Sequence, residues 1–231
     1  MFFSIDSDCK NNATIYIINH MKVYNWNCLL AELSPEEQHQ VNKFHFYKDK
    51  VRYAVSHWLL RKVLSSYLNC SCEELVFSIG EFGKPYLENT HKIHFNLSHS
   101  DDISVLIVSK RSKVGVDVDS KNKLDRLDID VMVESVLSLE EKKIFHDLNC
   151  QDKCNLFMKL WVLKESYLKF LGFGLVYNIP ELTFIIKGGR IQLFSLHEEI
   201  TQCSFGLTEY ADNVIAWSIE GKIKPILKYL N

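Results

Sequence analysis

Phe157-Met158-Lys159-Leu160-Trp161-Val162-Leu163-Lys164-Glu165-Ser166-Tyr167-Leu168-Lys169-Phe170-Leu171-Gly172-Phe173-Gly174-Leu175 reads as one helix with two distinct faces. Leu160, Leu163, Tyr167 and Phe170 recur at helical spacing, which predicts a buried face. Gly172 and Gly174 mark its end, because glycine accepts the positive φ of a C-terminal cap. Trp161, Glu165 and Lys169 stand four residues apart and stack on another face. An acid and an amine one turn apart offer a place for a cation beside a place for a phosphate. The plainer reading of that pair alone is a surface contact worth a few tenths of a kcal/mol.

Working outward, the same helical word occurs earlier. Trp58-Leu59-Leu60-Arg61 matches Trp161-Val162-Leu163-Lys164 at an offset of 103. Glu74-Leu75-Val76-Phe77 matches Glu181-Leu182-Thr183-Phe184 at 107, and Phe95-Asn96-Leu97-Ser98 matches Phe205-Gly206-Leu207-Thr208 at 110. Ser34-Pro35-Glu36-Glu37 is a helix start, with serine as N-cap and acids in the first turn. Residues 53–68 keep a helical rhythm, with Trp58, Leu59, Val63 and Leu64 as core. Strands are predicted over 14–18, 75–79, 93–97 and 103–108, with a loop at 80–85 and a turn at 98–102. A rising offset with unchanged order predicts an α+β pseudo-dimer of two similar halves, residues 1–112 and 113–231. Each half is a helix packed on a small antiparallel sheet. A site at the seam would draw unlike residues from the two halves.

A chain of 231 residues, 47% hydrophobic and 24% charged, has the composition of a folded protein rather than a disordered one. A net charge of −2 gives no support to nucleic-acid binding. Lys43, Lys48, Lys50, Arg52, Arg61 and Lys62 nevertheless crowd one segment, which suits a small polyanion or simply a solvated face. No signal peptide or membrane span is read. The seven cysteines are scattered: Cys70 and Cys72 are too close for a zinc pair, and Cys150 and Cys154 lack a second pair. Reduced thiols in a cytoplasmic protein are the expectation.

Val114-Gly115-Val116-Asp117-Val118-Asp119 alternates, so the valines share a buried face and both aspartates project from the other. Paired carboxylates suit Mg²⁺, with Glu165 as a third oxygen donor if the helix meets this strand; a polar strand end in water is the bland alternative. Phe95-Asn96-Leu97-Ser98-His99-Ser100 closes a strand with hydroxyl donors and an imidazole able to bind phosphate oxygens. It is a poor sign of a hydrolase triad, because neighbouring strand residues face opposite ways and the G-x-S-x-G elbow is absent; an ordinary turn of serines and Asp101-Asp102 is the plainer reading. A Walker-type phosphate loop is absent too.

Gly83-Lys84-Pro85, Phe95 to Ser100, Gly115 to Asp119, and Trp161-x-x-Lys164-Glu165-Ser166-x-x-Lys169-x-x-Gly172-x-Gly174-Leu175 together resemble the ordered motif set of the surfactin-synthetase-type 4′-phosphopantetheinyl transferases. The similarity runs from about Ser34 to Leu175. It implies a pseudo-dimeric fold with coenzyme A and Mg²⁺ in the cleft between halves. It also implies transfer of phosphopantetheine to a serine of an apo acyl or peptidyl carrier protein, with release of adenosine 3′,5′-bisphosphate, in a setting such as antibiotic or secondary-metabolite biosynthesis. By position, Asp117 and Glu165 match metal ligands, with Asp119 where a third acid is usual. Lys169 matches the lysine that contacts the phosphates. Lys84, Ser98 and His99 match coenzyme A-binding positions, and Lys43 and Arg52 match basic positions near its phosphates. The resemblance makes Glu165 or a metal-bound water the base, implies a monomer, and places Glu141 near another acid of the pattern.

Two departures stand out. Asp119 is one methylene shorter than the usual glutamate, and Gln40 occupies a place where a basic residue can occur. The resemblance places carrier docking along the seam after Asp119, through Ile129, Val131 and Met132 with Lys121, Lys123 and Arg126; an exposed loop with an ordinary charge mix is the plainer reading. The alternative from a different class is a catalytically silent coenzyme A-binding or scaffold protein on the same fold.

Overall fold

The computed structural model describes residues 13–88, 93–126, 129–172 and 177–230, with residues 124–126 described by backbone alone. The first half runs β1 (Thr14–Asn19), α1 (Pro35–Lys43), α2 (Tyr47–Leu68), β2 (Phe77–Ile79), β3 (Pro85–Leu87), β4 (His94–His99) and β5 (Ile103–Ser109). The second runs β6 (Val114–Ser120), α3 (Ile129–Val136), α4 (Leu139–His146), α5 (Cys150–Leu171), β7 (Leu182–Lys187) and β8 (Arg190–Ser195). It closes with β9 (Glu198–Glu199), β10 (Cys203–Tyr210), β11 (Asn213–Glu220) and β12 (Ile226–Leu230).

The duplication read from short apolar words is an architectural fact. Antiparallel triplets β1-β5-β4 and β6-β11-β10 are built alike: the first strand of each pairs with the third, and the third with the second. Helices α2 and α5 are both 22 residues long and end on left-handed caps, Asn69 at φ 53° and Gly172 at φ 82°. Trp58 and Trp161 occupy the same place along them. Each long helix is preceded by one opened by a capping box, Ser34 with Glu37 and Ser138 with Glu141. β12 then crosses over and pairs in parallel with β1, tying the end of the second half to the first.

Three apolar clusters follow from the strand alternation. Tyr16, Ile18, Leu106 and Val108 join Leu59, Val63 and Leu64 of α2. Val214 and Ala216 join Leu160, Leu163 and Tyr167 of α5. Between the sheets, Ile15, Ile17, Val105 and Ile107 meet Val114, Val116, Val118 and Ile215. The packing between the two sheets is therefore apolar, like a domain core. Among the described residues no helix is long and apolar enough to cross a membrane.

Three local readings are refined. β6 is buried along its whole length, because its second face lies against α5 rather than water. Gly115 permits that approach: a Cβ there would stand 2.1 Å from the Ser166 carbonyl oxygen and 2.4 Å from the Phe170 nitrogen. β4 continues through His99, so the turn begins later, at Ser100, whose Oγ accepts the Asp102 and Ile103 N–H groups. Gly174 lies outside the described residues.

Candidate active site

A cavity of about 500 Å³ opens at the seam. Tyr53 and His57 of α2 form one wall, and Ser98 and His99 come from the end of β4. Asp117 and Asp119 of β6 face Trp161, Glu165 and Lys169 of α5 across it. The two elements that periodicity could not connect, β6 and α5, are thus in contact within the second half, and the first half adds Tyr53, His57, Ser98 and His99.

Lys169 Nζ donates to Asp117 Oδ1 at 2.6 Å and to Ser98 Oγ at 3.0 Å; Ser98 Oγ donates to the same aspartate oxygen at 2.9 Å. Asp119 accepts Lys123 Nζ at 2.6 Å on Oδ2 and the Ser120 N–H at 3.0 Å on Oδ1. Glu165 differs. Its Oε1 is buried, and among the described residues nothing hydrogen-bonds it. Burial first, then the Asp117 charge, raises the Glu165 pKa, against the pull of Lys169 and Lys123. A buried acceptor left this way costs about 1–3 kcal/mol and calls for a missing partner.

Three hard carboxylates on one cavity, one with an orphaned oxygen, fit a divalent cation such as Mg²⁺ by donor chemistry. Among the described residues no three His, Cys, Asp or Glu side chains are grouped as a ready shell. Asp117 and Asp119 each hold a lysine in that place.

The basic residues divide. The surrounding protein, and next the Arg52 charge, lowers the His99 pKa, so Arg52 and His99 act on one another; Arg52 also pairs with Asp49 at 2.7 Å. Lys84 is half-buried in the seam, donating to the Lys169 carbonyl at 2.6 Å and the Val114 carbonyl at 3.2 Å. Burial, then Lys113, lowers its pKa to about 8. It lines a neighbouring cavity of about 300 Å³ that shares Glu165 and Lys169 with the first. With Asn96 Oδ1, which accepts the Val116 N–H at 2.9 Å, Lys84 satisfies the free edge of β6. Lys43 is exposed at the end of α1 and is not among the residues that line the main cavity.

Other groups went unforeseen as site or support. Glu37 lines the cavity, its Oε1 at 3.1 Å from His57 Nδ1 and its Oε2 accepting Arg61 Nε at 2.6 Å. His57 stacks on Tyr53 with ring centroids 3.9 Å apart. The available signal was the capping-box spacing of Glu37, which places its carboxylate at a helix start. Glu141 is a structural residue: its Oε2 pairs with Lys164 Nζ at 2.6 Å and its Oε1 accepts the Phe184 N–H at 2.8 Å. On the expected docking segment, Val131 is exposed, while Ile129 and Met132 pack against the α5 core. Lys121 is paired with Glu209, and the Arg126 side chain lies outside the described residues.

Residues 21–111 match a family model described as 4′-phosphopantetheinyl transferase, N-terminal, and residues 113–217 one described as the 4′-phosphopantetheinyl transferase superfamily. The 4′-phosphopantetheinyl transferase gsp of Aneurinibacillus migulanus is 30% identical over 179 residues, 77% of this chain and 71% of its own. HetI of Nostoc sp., another 4′-phosphopantetheinyl transferase, is 27% identical over 64% of this chain and 62% of its own. The match thus spans about three fifths to seven tenths of the length of these relatives. A solved holo-(acyl-carrier-protein) synthase from Bacillus anthracis str. Ames, in complex with CoA, overlaps 48% of this chain and 96% of its own, at a TM-score of 0.41 and 16% identity. With both halves matched in sequence order and a relative at 30% identity over most of its length, the chain belongs to the 4′-phosphopantetheinyl transferase family.

Proposed function

We propose that this protein moves the 4′-phosphopantetheine group of coenzyme A onto a serine of an apo acyl or peptidyl carrier protein, with Mg²⁺, and releases adenosine 3′,5′-bisphosphate. The observation that carries the reading is the meeting of Asp117, Glu165 and Lys169 in one seam cavity, with a buried oxygen of Glu165 unpartnered among the described residues. The halves are taken to divide between residues 112 and 113, and the chain to act as a monomer because both halves of the pseudo-dimer lie in it.

In this reading the diphosphate of coenzyme A is met by Lys169 and Ser98, which already share a hydrogen bond, and its 3′-phosphate by His99, with the Arg52 charge acting from behind it. Lys84 borders the adjoining cavity, and Lys43 contributes from outside through charge alone. Asp117 and Glu165 hold Mg²⁺, with Asp119 as the third acid of the motif. The ion, when bound, neutralises diphosphate charge as a Lewis acid.

The new bond joins the carrier serine oxygen to the phosphorus bearing pantetheine. The bond that breaks links that phosphorus to the bridging oxygen, whose electron pair leaves with adenosine 3′,5′-bisphosphate. Lys169 faces the charge that gathers there. The serine proton passes to a carboxylate oxygen of Glu165, which lines the same cavity as Lys169.

The test is to incubate the protein with coenzyme A, Mg²⁺ and a panel of apo-carriers, and to weigh the carriers. One carrier gaining the mass of phosphopantetheine is expected. Intact coenzyme A binding with no mass gain on any carrier would leave the silent, scaffold reading in its place.

A further inference from the structure

Asp117 and Asp119 leave β6 on the same side, yet they are held differently. Asp117 is bonded by residues of two other elements, Ser98 and Lys169. Asp119 is bonded locally: Oδ1 accepts the next residue's N–H and Oδ2 accepts Lys123, four residues on. Both Asp119 oxygens are therefore engaged, while the buried oxygen of Glu165 is not among the described residues.

Lys123 sits in the 3₁₀ turn Lys121–Arg126 and lines the main cavity. Its side chain is 47% exposed against 10% for Asp119, so the aspartate is fixed and the ammonium reaches into the opening. An ammonium has three N–H donors, and Asp119 takes one. Lys123 and Glu165 line the same cavity. The short aspartate side chain suits this local pairing, because it keeps the carboxylate close to its own strand.

We propose that Asp119 is a positioning residue for Lys123 rather than a direct ligand of the divalent cation, and that Lys123, so held, is a further contact for the anionic diphosphate of coenzyme A. This deepens the transferase reading and rests on it. Asp117 and Glu165 then supply the protein's cation ligands, and Lys123 and Lys169 flank the diphosphate with two ammonium groups.

Mn²⁺ binding by the whole chain, followed by the electron-paramagnetic signal of the free ion, and coenzyme A binding by calorimetry separate the roles. Asp117→Asn should weaken Mn²⁺ binding about tenfold or more, and Asp119→Asn less than about threefold. Lys123→Ala should leave Mn²⁺ affinity unchanged or tighter and weaken coenzyme A binding about fivefold, with Lys123→Arg restoring it. Asp119→Asn should share that coenzyme A loss. Equal Mn²⁺ losses for the two aspartate variants, or wild-type coenzyme A affinity in Lys123→Ala, would overturn the assignment while leaving the transferase reading intact. A wild-type chain that binds coenzyme A but no Mn²⁺ would remove the cation site itself.

Discussion

Arg61 on α2 and Lys164 on α5 hold the same place in the two halves, and each is paired with the capping-box glutamate of the preceding helix. Glu141 and Lys164 are sealed, at 1% and 0% exposure, and their bonds end on the Val136 carbonyl and the Phe184 N–H. Burial pushes the Lys164 pKa down against the pull of Glu141. Glu37 opens onto the cavity and is shared with His57. Burial would raise its pKa, but the His57 and Arg61 hydrogen bonds leave it lowered overall. One step along each helix the contrast sharpens. Lys62 turns outward to Glu32 at 2.9 Å, whereas Glu165 turns into the seam. Under the helices, β1 presents Tyr16 and Ile18 to the α2 cluster, where β6 presents Gly115, Asp117 and Asp119 to α5. The two halves differ in that Gly115 lets α5 close on its strand and carboxylates stand where the first half has apolar packing.

Breaking the sealed pair by removing one partner gives the largest effect on stability. Glu141→Gln leaves a buried ammonium uncompensated, and a loss of about 3–5 kcal/mol in denaturant unfolding is expected. Mn²⁺ affinity should be unchanged in whatever protein folds. A loss under about 1 kcal/mol would break the claim that this half is held by the pair.

The first half also carries its own titration. His20, fully buried after β1, accepts from Ser104 Oγ at 3.1 Å and donates from Nε2 to the Asp101 carbonyl at 3.0 Å. Burial chiefly lowers its pKa to about 4 from 6.5. The folded state keeps it neutral, so its contribution is full above pH 6.5 and is lost as pH falls toward 4, by about 3 kcal/mol. His20→Gln should flatten the stability curve in that window; an unchanged slope would contradict the assignment.

Glu37→Gln should cost less than its counterpart, about 1–2 kcal/mol, because Arg61 keeps the Cys72 and Leu75 carbonyls as partners. It should also alter coenzyme A affinity, which Glu141→Gln should not. Smallest of all, Lys62→Gln should shift stability by less than about 0.5 kcal/mol, as a half-exposed surface pair does. Equal costs at positions 37 and 141 would erase the distinction between the open and sealed halves.

Much of this was legible in the chain. Leu160, Leu163, Tyr167 and Phe170 announced the buried face of α5, and Trp58 with Trp161 announced the duplication, because helical periodicity and repeated words are local signals. Alternation shows the valine face of β6 but not the burial of its acids, because a strand's sequence does not say what covers its second face. Gly115 carried that information only once Ser166 and Phe170 were seen above it. The pairing of Lys123 with Asp119 was hidden for a different reason: the residues after a strand end read as solvated charge until a cavity is found beside them. Lys84, matched by the resemblance to a coenzyme A-binding position, also holds the seam edge, through a contact with Lys169 85 residues away in sequence that no local pattern encodes.

The central claim is that the seam acids and Lys169 carry out the transfer. It is tested most directly by weighing an apo-carrier accepted by the wild-type protein after incubation with coenzyme A, Mg²⁺ and Glu165→Gln or Lys169→Ala, with folding checked by thermal melting. Each folded variant should lose transfer by about 10²-fold or more. Near-normal conversion by either one would contradict the account.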